Sequence, residues 1–270
     1  MGFLTDVVER VRRELERAPL DEGALLARCM SLPPPRDFVA ALRTSARPAV
    51  IAEVKRASPS AGPIAAGADP RALAAAYQGG GAAAISVLTE PRHFDGSLAD
   101  VRLVHVVASL PVLRKDFLVH PAQLMETRAA GADAALLIAA ALSPPELAAM
   151  LATAGDLGLA TLVEAHTRDD LERALAAGAG VVGVNARDLE TLEVDEGRAL
   201  DLLASVPGDR VRVLESGIST RGQVLRAVAA GADAVLVGEA LMRAEDPAAA
   251  LRSLLGRAEA PVPGRYTRAP

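Results

Sequence analysis

One phrase, written four times, constrains this chain more than any other feature. "GGGAAAISV" at 79–87, "AAGADAALLI" at 129–138, "AAGAGVVGV" at 176–184 and "AAGADAVLVG" at 229–238 are variants of it. Each reads as a helix end closed by glycine and followed by a buried apolar strand. Counted from Gly81, Gly131, Gly178 and Gly231, the phrases lie 50, 47 and 53 residues apart. Between them fall further strand-like runs, "PVLRKD" (111–116), "LATLVEA" (159–165) and "RVRVLES" (210–216), and "AVIAEV" (49–54) precedes the first. Eight strands alternating with helices at about 25 residues per unit predict parallel strands with right-handed crossovers. Those are the proportions of a (β/α)8 barrel. A doubly wound sheet is the competing arrangement. It usually opens with a glycine-rich dinucleotide turn, and "EVKRASPSAG" after the first strand lacks that spacing.

The barrel is expected over 49–255 of a single domain. Residues 1–48 are read as a helical extension covering part of it, in two helical pieces separated by the stiff "SLPPPRD" (31–37). Phe3, Leu4, Val7, Val8, Val11 and Leu15 fall at helical spacing, so the first piece is amphipathic and packs on the domain. Asp6, Glu9 and Arg10 interrupt any signal-peptide core, and no apolar run is long enough to span a bilayer, which predicts a cytoplasmic protein. The tail 256–270 is expected to be mobile.

Composition excludes several classes. Net charge is −5 and aromatics make up 2% of the residues, without the basic stripe that nucleic acid requires. Cys29 is the sole cysteine, and His93, His105, His120 and His166 show no metal-ligand spacing, so neither a disulfide framework nor a metal site is expected.

In such barrels chemistry sits where the strands end. Those ends present Glu53 and Lys55, Ser86, Lys115, Glu164, Asn185, and Glu215 with Ser216. Lys55 and Lys115 are the only lysines among 29 Lys and Arg residues, and Asn185 is the only asparagine. An isolated glutamate at a strand end is as often a cap or ion-pair partner as a catalyst; so many polar groups converging from separate strands is a site. Arginine cannot release its proton near neutral pH, whereas a lysine ammonium can, so a proton-donating or imine-forming role calls for lysine. Glu53 and Lys55, two apart on a strand, leave on one face, toward the barrel mouth. Gly217 and Gly238, each just before a helix in the last two loops and across from Lys55, suggest a phosphate cradle.

With these residues assembled, the chain resembles the indole-3-glycerol phosphate synthase family. The matching stretches are "IAEVKRASPSAG" (51–62), "ISVLTEPRHFDGS" (85–97), "PVLRKDF" (111–117), "LVEAH" (162–166), "VGVNARDLETLEVD" (182–195), "ESGIS" (215–219) and "VGEALM" (237–242). They run in family order over about residues 3–255. The resemblance implies ring closure, decarboxylation and dehydration of a carboxyphenylamino-deoxyribulose phosphate, with no cofactor. It implies that Lys115 is the general acid of ring closure and Glu164 the acid/base of dehydration. Lys55 would assist and reach the phosphate, Glu53 and Asn185 would position, and Glu215 and Ser216 would contact hydroxyls. Ser58, Ser86, Phe94 and Arg187 would line the anthranilate side and its carboxylate. Gly217 and Gly238 would hold the phosphate with the backbone of Glu239, whose carboxylate is expected to point away. The chain is expected to act as a monomer, with a homodimer as the alternative.

Two other functions need the same barrel. A Schiff-base aldolase also requires a lysine at a strand end, and a non-catalytic phosphosugar-binding barrel requires only the anion site. The isomerase that supplies the synthase substrate would place a cysteine at the first strand end, where this chain has Glu53 and Lys55. The loop 57–67 is read as a segment that could close over substrate, with Gly62 and Gly67 as hinges.

Overall fold

The computed structural model describes residues 2–44 and 48–257. Eight parallel strands close on themselves: β1 (Ala49–Val54), β2 (Ala84–Leu88), β3 (Val112–Lys115), β4 (Ala134–Ile138), β5 (Ala160–Ala165), β6 (Val181–Asn185), β7 (Val211–Glu215) and β8 (Ala234–Val237). β1 pairs with both β2 and β8, so no edge remains. The predicted strands are all present. The repeated phrase does what its glycines require: Gly81, Gly131, Gly178 and Gly231 have φ of 92°, 90°, 88° and 99°, each turning the chain from a helix into a strand.

Alternation along each strand sorts its side chains into two cores. Val50, Ala52 and Val54 join Ile85, Val87, Leu137 and Val163 against the helices. Ile51, Leu113, Leu136, Leu162, Val213 and Leu236 fill the barrel. Large aromatics are not needed, because β-branched and leucine side chains fill this interior in layers. At the opposite strand ends, the helices after β3, β4, β5 and β7 each open with a capping box: His120/Gln123, Ser143/Glu146, Thr167/Asp170 and Thr220/Gln223. Reciprocal capping of this kind satisfies orphan backbone donors and fixes the loop that leads into each helix.

The N-terminal extension holds three helices where the sequence predicts two pieces: α1 (Phe3–Arg17), α2 (Glu22–Met30) and α3 (Phe38–Thr44). The unforeseen break falls at 18–21, where Asp21 caps α2 by accepting from Ala24 N–H. The Pro-rich stretch separates α2 from α3. Phe38 and Leu42 of α3 are buried with Ala49, Val181 and Val211, the first residues of β1, β6 and β7, and so plug the barrel where its strands begin. α1 lies over the other end. Leu4 N–H donates to Leu189 O, Thr5 to Glu190, and Arg10 to the buried Glu90 at 2.7 Å.

The segment after β1 is not an open loop. Ala57–Ser58 and Gly62–Pro63 form a small antiparallel hairpin, with Gly62 at φ 64°. Arg56 anchors it by an ion pair to Asp100 at 2.6 Å and a hydrogen bond to Ala68 O. The predicted tail lies, from 258 onward, outside the described residues. Among the described residues no helix is long and apolar enough to cross a membrane.

Candidate active site

A cavity of about 380 Å³ opens where the strands end. Its polar floor is built by residues whose strand neighbours face the helices, which forces their own side chains inward. Lys115 Nζ donates to Glu164 Oε2 at 3.0 Å and to Glu215 Oε2 at 2.8 Å. Lys55 Nζ lies 3.2 Å from Glu53 Oε1. The three carboxylates are 1–3% exposed and face only two ammonium groups.

That imbalance sets the charge states. Burial alone would lower Lys115, but Glu164, Glu215 and Glu53 outweigh it and hold the ammonium well above the usual lysine range. Glu215 moves the other way. Burial and the neighbouring Glu164 and Glu53 push its carboxyl up to about 7, against the pull of Lys115. Its Oε1 and Glu53 Oε2 are buried without a hydrogen-bond partner among the described residues. An unpaired buried carboxylate oxygen is costly, which is why one of the three carboxyls keeps a proton to higher pH.

Two glycines make room for these groups. A Cβ at Gly183 would collide with Glu215 Oε1, and one at Gly238 would collide with Glu53 Oε1 and stand 3.2 Å from Lys55 Nζ. Asn185 Oδ1 accepts from Arg187 N–H at 2.9 Å, which fixes the amide so that its NH2 faces away from the loop. Behind it, His166 Nε2 meets Asp188 Oδ2 at 3.1 Å, and its Nδ1 lies 2.9 Å from Arg198 Nη2 and 3.1 Å from Asn185 O. Ser216 has φ 68° and Gly217 φ 74°. A left-handed serine is uncommon and strained, and such strain is kept where a loop must take one shape.

The structure brings together Lys55, Glu53, Ser58, Phe94, Lys115, Glu164, Asn185, Arg187, Glu215, Ser216, Gly217, Gly238 and Glu239 around one cavity. Ser86 is the exception. It is fully buried, absent from the cavity lining, and its Oγ has no partner among the described residues. It pairs in register with Glu53, whose longer side chain reaches the mouth while the serine hydroxyl stays below. Glu239 belongs to the lining, and its Oε1 accepts from Arg243 Nε at 2.9 Å.

Several lining residues escape sequence reasoning. Phe3, from α1, stands edge-on to Phe117 with ring centres 6.1 Å apart, and Phe94 lies 6.4 Å from Phe117. With Leu189 and Leu192 they make one side of the cavity apolar and aromatic. Arg243, five residues after Gly238, also lines the cavity. Asp116, also in the lining, is held by Arg114 at 3.0 Å and by Thr89. Among the described residues no cluster of three or more His, Cys, Asp or Glu is placed to hold a metal ion.

An apolar, aromatic-walled cavity with lysines and carboxylates on its floor, at the strand-end mouth of a closed barrel, defines a (β/α)8-barrel enzyme. Solved structures share that fold. 3-Hexulose-6-phosphate synthase superposes with a TM-score of 0.62 at 18% identity, over 77% of this chain and 98% of that one. A thiamine phosphate pyrophosphorylase from Pyrococcus furiosus gives 0.57 at 16% identity, over 77% and 94%. The particular family is shown by sequence. The family model for indole-3-glycerol phosphate synthase matches residues 4–254. The indole-3-glycerol phosphate synthase of Micrococcus luteus is 51% identical over 259 residues, 94% of this chain and 97% of that one. That of Mycobacterium avium is 50% identical over 254 residues, 93% of each, and indole-3-glycerol phosphate synthase 1 of Streptomyces coelicolor is 48% identical over 265 residues, 97% of each. The chain belongs to the indole-3-glycerol phosphate synthase family.

Proposed function

We propose that this cavity closes the indole ring of indole-3-glycerol phosphate, with Lys115 as the proton donor. The observation that supports it best is Lys115 held between Glu164 and Glu215 beneath an aromatic wall. The substrate, 1-(2-carboxyphenylamino)-1-deoxyribulose 5-phosphate, has an aromatic ring with a carboxylate at one end and a phosphate at the other. Phe3, Phe94 and Phe117 suit the ring, and Arg187, whose Nη1 donates to Leu192 O at 2.7 Å, suits the carboxylate. Lys55, Gly217 and Gly238 suit the phosphate.

The ring carbon bearing the carboxylate attacks the ketone, and the carbonyl oxygen gains charge as the bond forms. Lys115 gives that oxygen a proton. Carbon dioxide then departs, leaving its electron pair in the ring, and aromaticity returns. Loss of the new hydroxyl as water completes the indole, with Glu164 as acid/base and Lys55 assisting. Glu53 and Asn185 position these groups, and Glu215 and Ser216 meet substrate hydroxyls. Ser58 sits in the hairpin that borders the ring side. The chain is proposed to work as a monomer, and a phosphorylated intermediate of this kind suits the cytoplasm.

A Schiff-base mechanism at Lys115 is disfavoured because an imine needs the free amine, and the three carboxylates hold this nitrogen as ammonium. The test is to mix protein and substrate without metal or nucleotide and follow indole fluorescence, then repeat with borohydride present. The fluorescence is expected to rise, with no reduced adduct on either lysine by mass spectrometry. An adduct on Lys115, or no indole from bound substrate, would overturn the reading.

A further inference from the structure

The phosphate end of the cavity contains a charge that belongs to the wrong sign. Glu239 follows Gly238 directly and lines the same wall, so a carboxylate stands beside the place where a phosphate dianion is to bind. Like charges a few ångström apart at a partly wet site repel enough to alter affinity. The structure contains a remedy one helical turn away. Arg243, four residues on, donates from Nε to Glu239 Oε1 at 2.9 Å. Arg243 lines the cavity too, and its Nη groups have no partner among the described residues.

We propose that Arg243 is a specificity residue for the phosphorylated substrate: it neutralises Glu239 through Nε and presents its Nη donors to the phosphate, opposite Lys55. The guanidinium suits both tasks, because its planar fork offers donors on two edges and its charge does not depend on pH. Ordinary exposed i,i+4 pairs contribute little, and their loss leaves ligand affinity unchanged. This pair differs because both partners line the cavity and one of them, left alone, opposes the ligand. The argument rests on the reading of this end as the phosphate subsite.

The test uses Arg243→Ala, Glu239→Ala and the double variant, in steady-state turnover with inorganic phosphate as competing ligand. Arg243→Ala is expected to raise KM and the inhibition constant of phosphate together by about tenfold, with kcat within about twofold, since the lost charge acts on binding and not on the reacting carbons. The double variant is expected to regain KM to within about threefold of wild type, because the uncompensated carboxylate has gone with its partner. A merely structural role for Arg243 would lower kcat and thermal stability and would not be rescued by deleting a second charge. Unchanged KM and phosphate inhibition in Arg243→Ala, or a double variant no better than the single, would overturn the proposal. If inorganic phosphate does not compete in the wild type, the subsite reading falls and this proposal with it. Equal competition in wild type and Arg243→Ala removes only the role of Arg243.

Discussion

Lys115 and Glu215 share a proton-transfer environment that neither could have alone. Around Lys115 the carboxylates raise the ammonium's pKa; around Glu215 burial and the other carboxylates raise the acid's to about 7. Below that pH the Glu215 carboxyl is protonated, and Lys115 faces one full negative charge from Glu164 with Glu53 beyond. Above it, a second carboxylate charge 2.8 Å away makes the ammonium a weaker acid. We therefore expect kcat to fall as pH rises through about 7. In Glu215→Gln that step disappears from the kcat–pH profile; its persistence would show that another group titrates. Much of this centre is legible in the sequence, since period-two alternation places Glu53 and Lys55 on one face and the scarcity of lysine singles out Lys115. Ser86 shows the limit of the same rule. Alternation gives the side a residue faces but not its depth, and a hydroxyl is too short to reach a mouth that Glu53 reaches from the next strand. Arg243 was hidden for another reason: four residues after Glu239 it has the spacing of any exposed helix ion pair.

At the scale of elements, the helices start and stop where their caps dictate. The helix Pro144–Asp156 opens with Ser143 and Glu146, whose carboxylate also meets Arg12 of α1 at 2.9 Å. These contacts hold the Glu146 carboxyl at about 2, first through the Ser143 backbone N–H and then through Arg12. A depressed acid stabilises the fold above its ordinary value and loses that contribution as pH falls through its folded one. Glu146→Gln is thus expected to lower Tm at pH 7 by roughly 2–3 °C, a small effect because solvent screens the pair. The difference from wild type shrinks as pH drops from about 4.5 toward 2. An equal Tm at pH 7, or a deficit unchanged at low pH, would mean that the ionised cap contributes nothing. The eight strands were readable because each follows a glycine-closed helix or a short loop in a long apolar run. The docking of α1 was not. An amphipathic pattern says that a helix has a face to bury, but the surface that receives it lies 80 to 185 residues away, at Glu90, Glu146 and Glu190. Phe3 therefore entered the aromatic wall unannounced.

Over the whole molecule, barrel closure is what makes the site. Lys115 meets a glutamate 49 residues later and another 100 residues later, and no local segment could hold the three together. α3 plugs the end where strands begin and α1 lies over the end where they finish, so the interior is packed below the reaction and covered beside it. The account therefore depends on one side chain in that closed frame giving up a proton and not merely supplying a charge. The decisive measurement compares Lys115→Arg with wild type, taking substrate affinity by equilibrium titration and kcat by indole fluorescence. Arginine keeps the positive charge between Glu164 and Glu215 but cannot release its proton near neutral pH. The account predicts binding within about fivefold of wild type and a kcat lower by at least ~10². A near-native kcat in Lys115→Arg would contradict it.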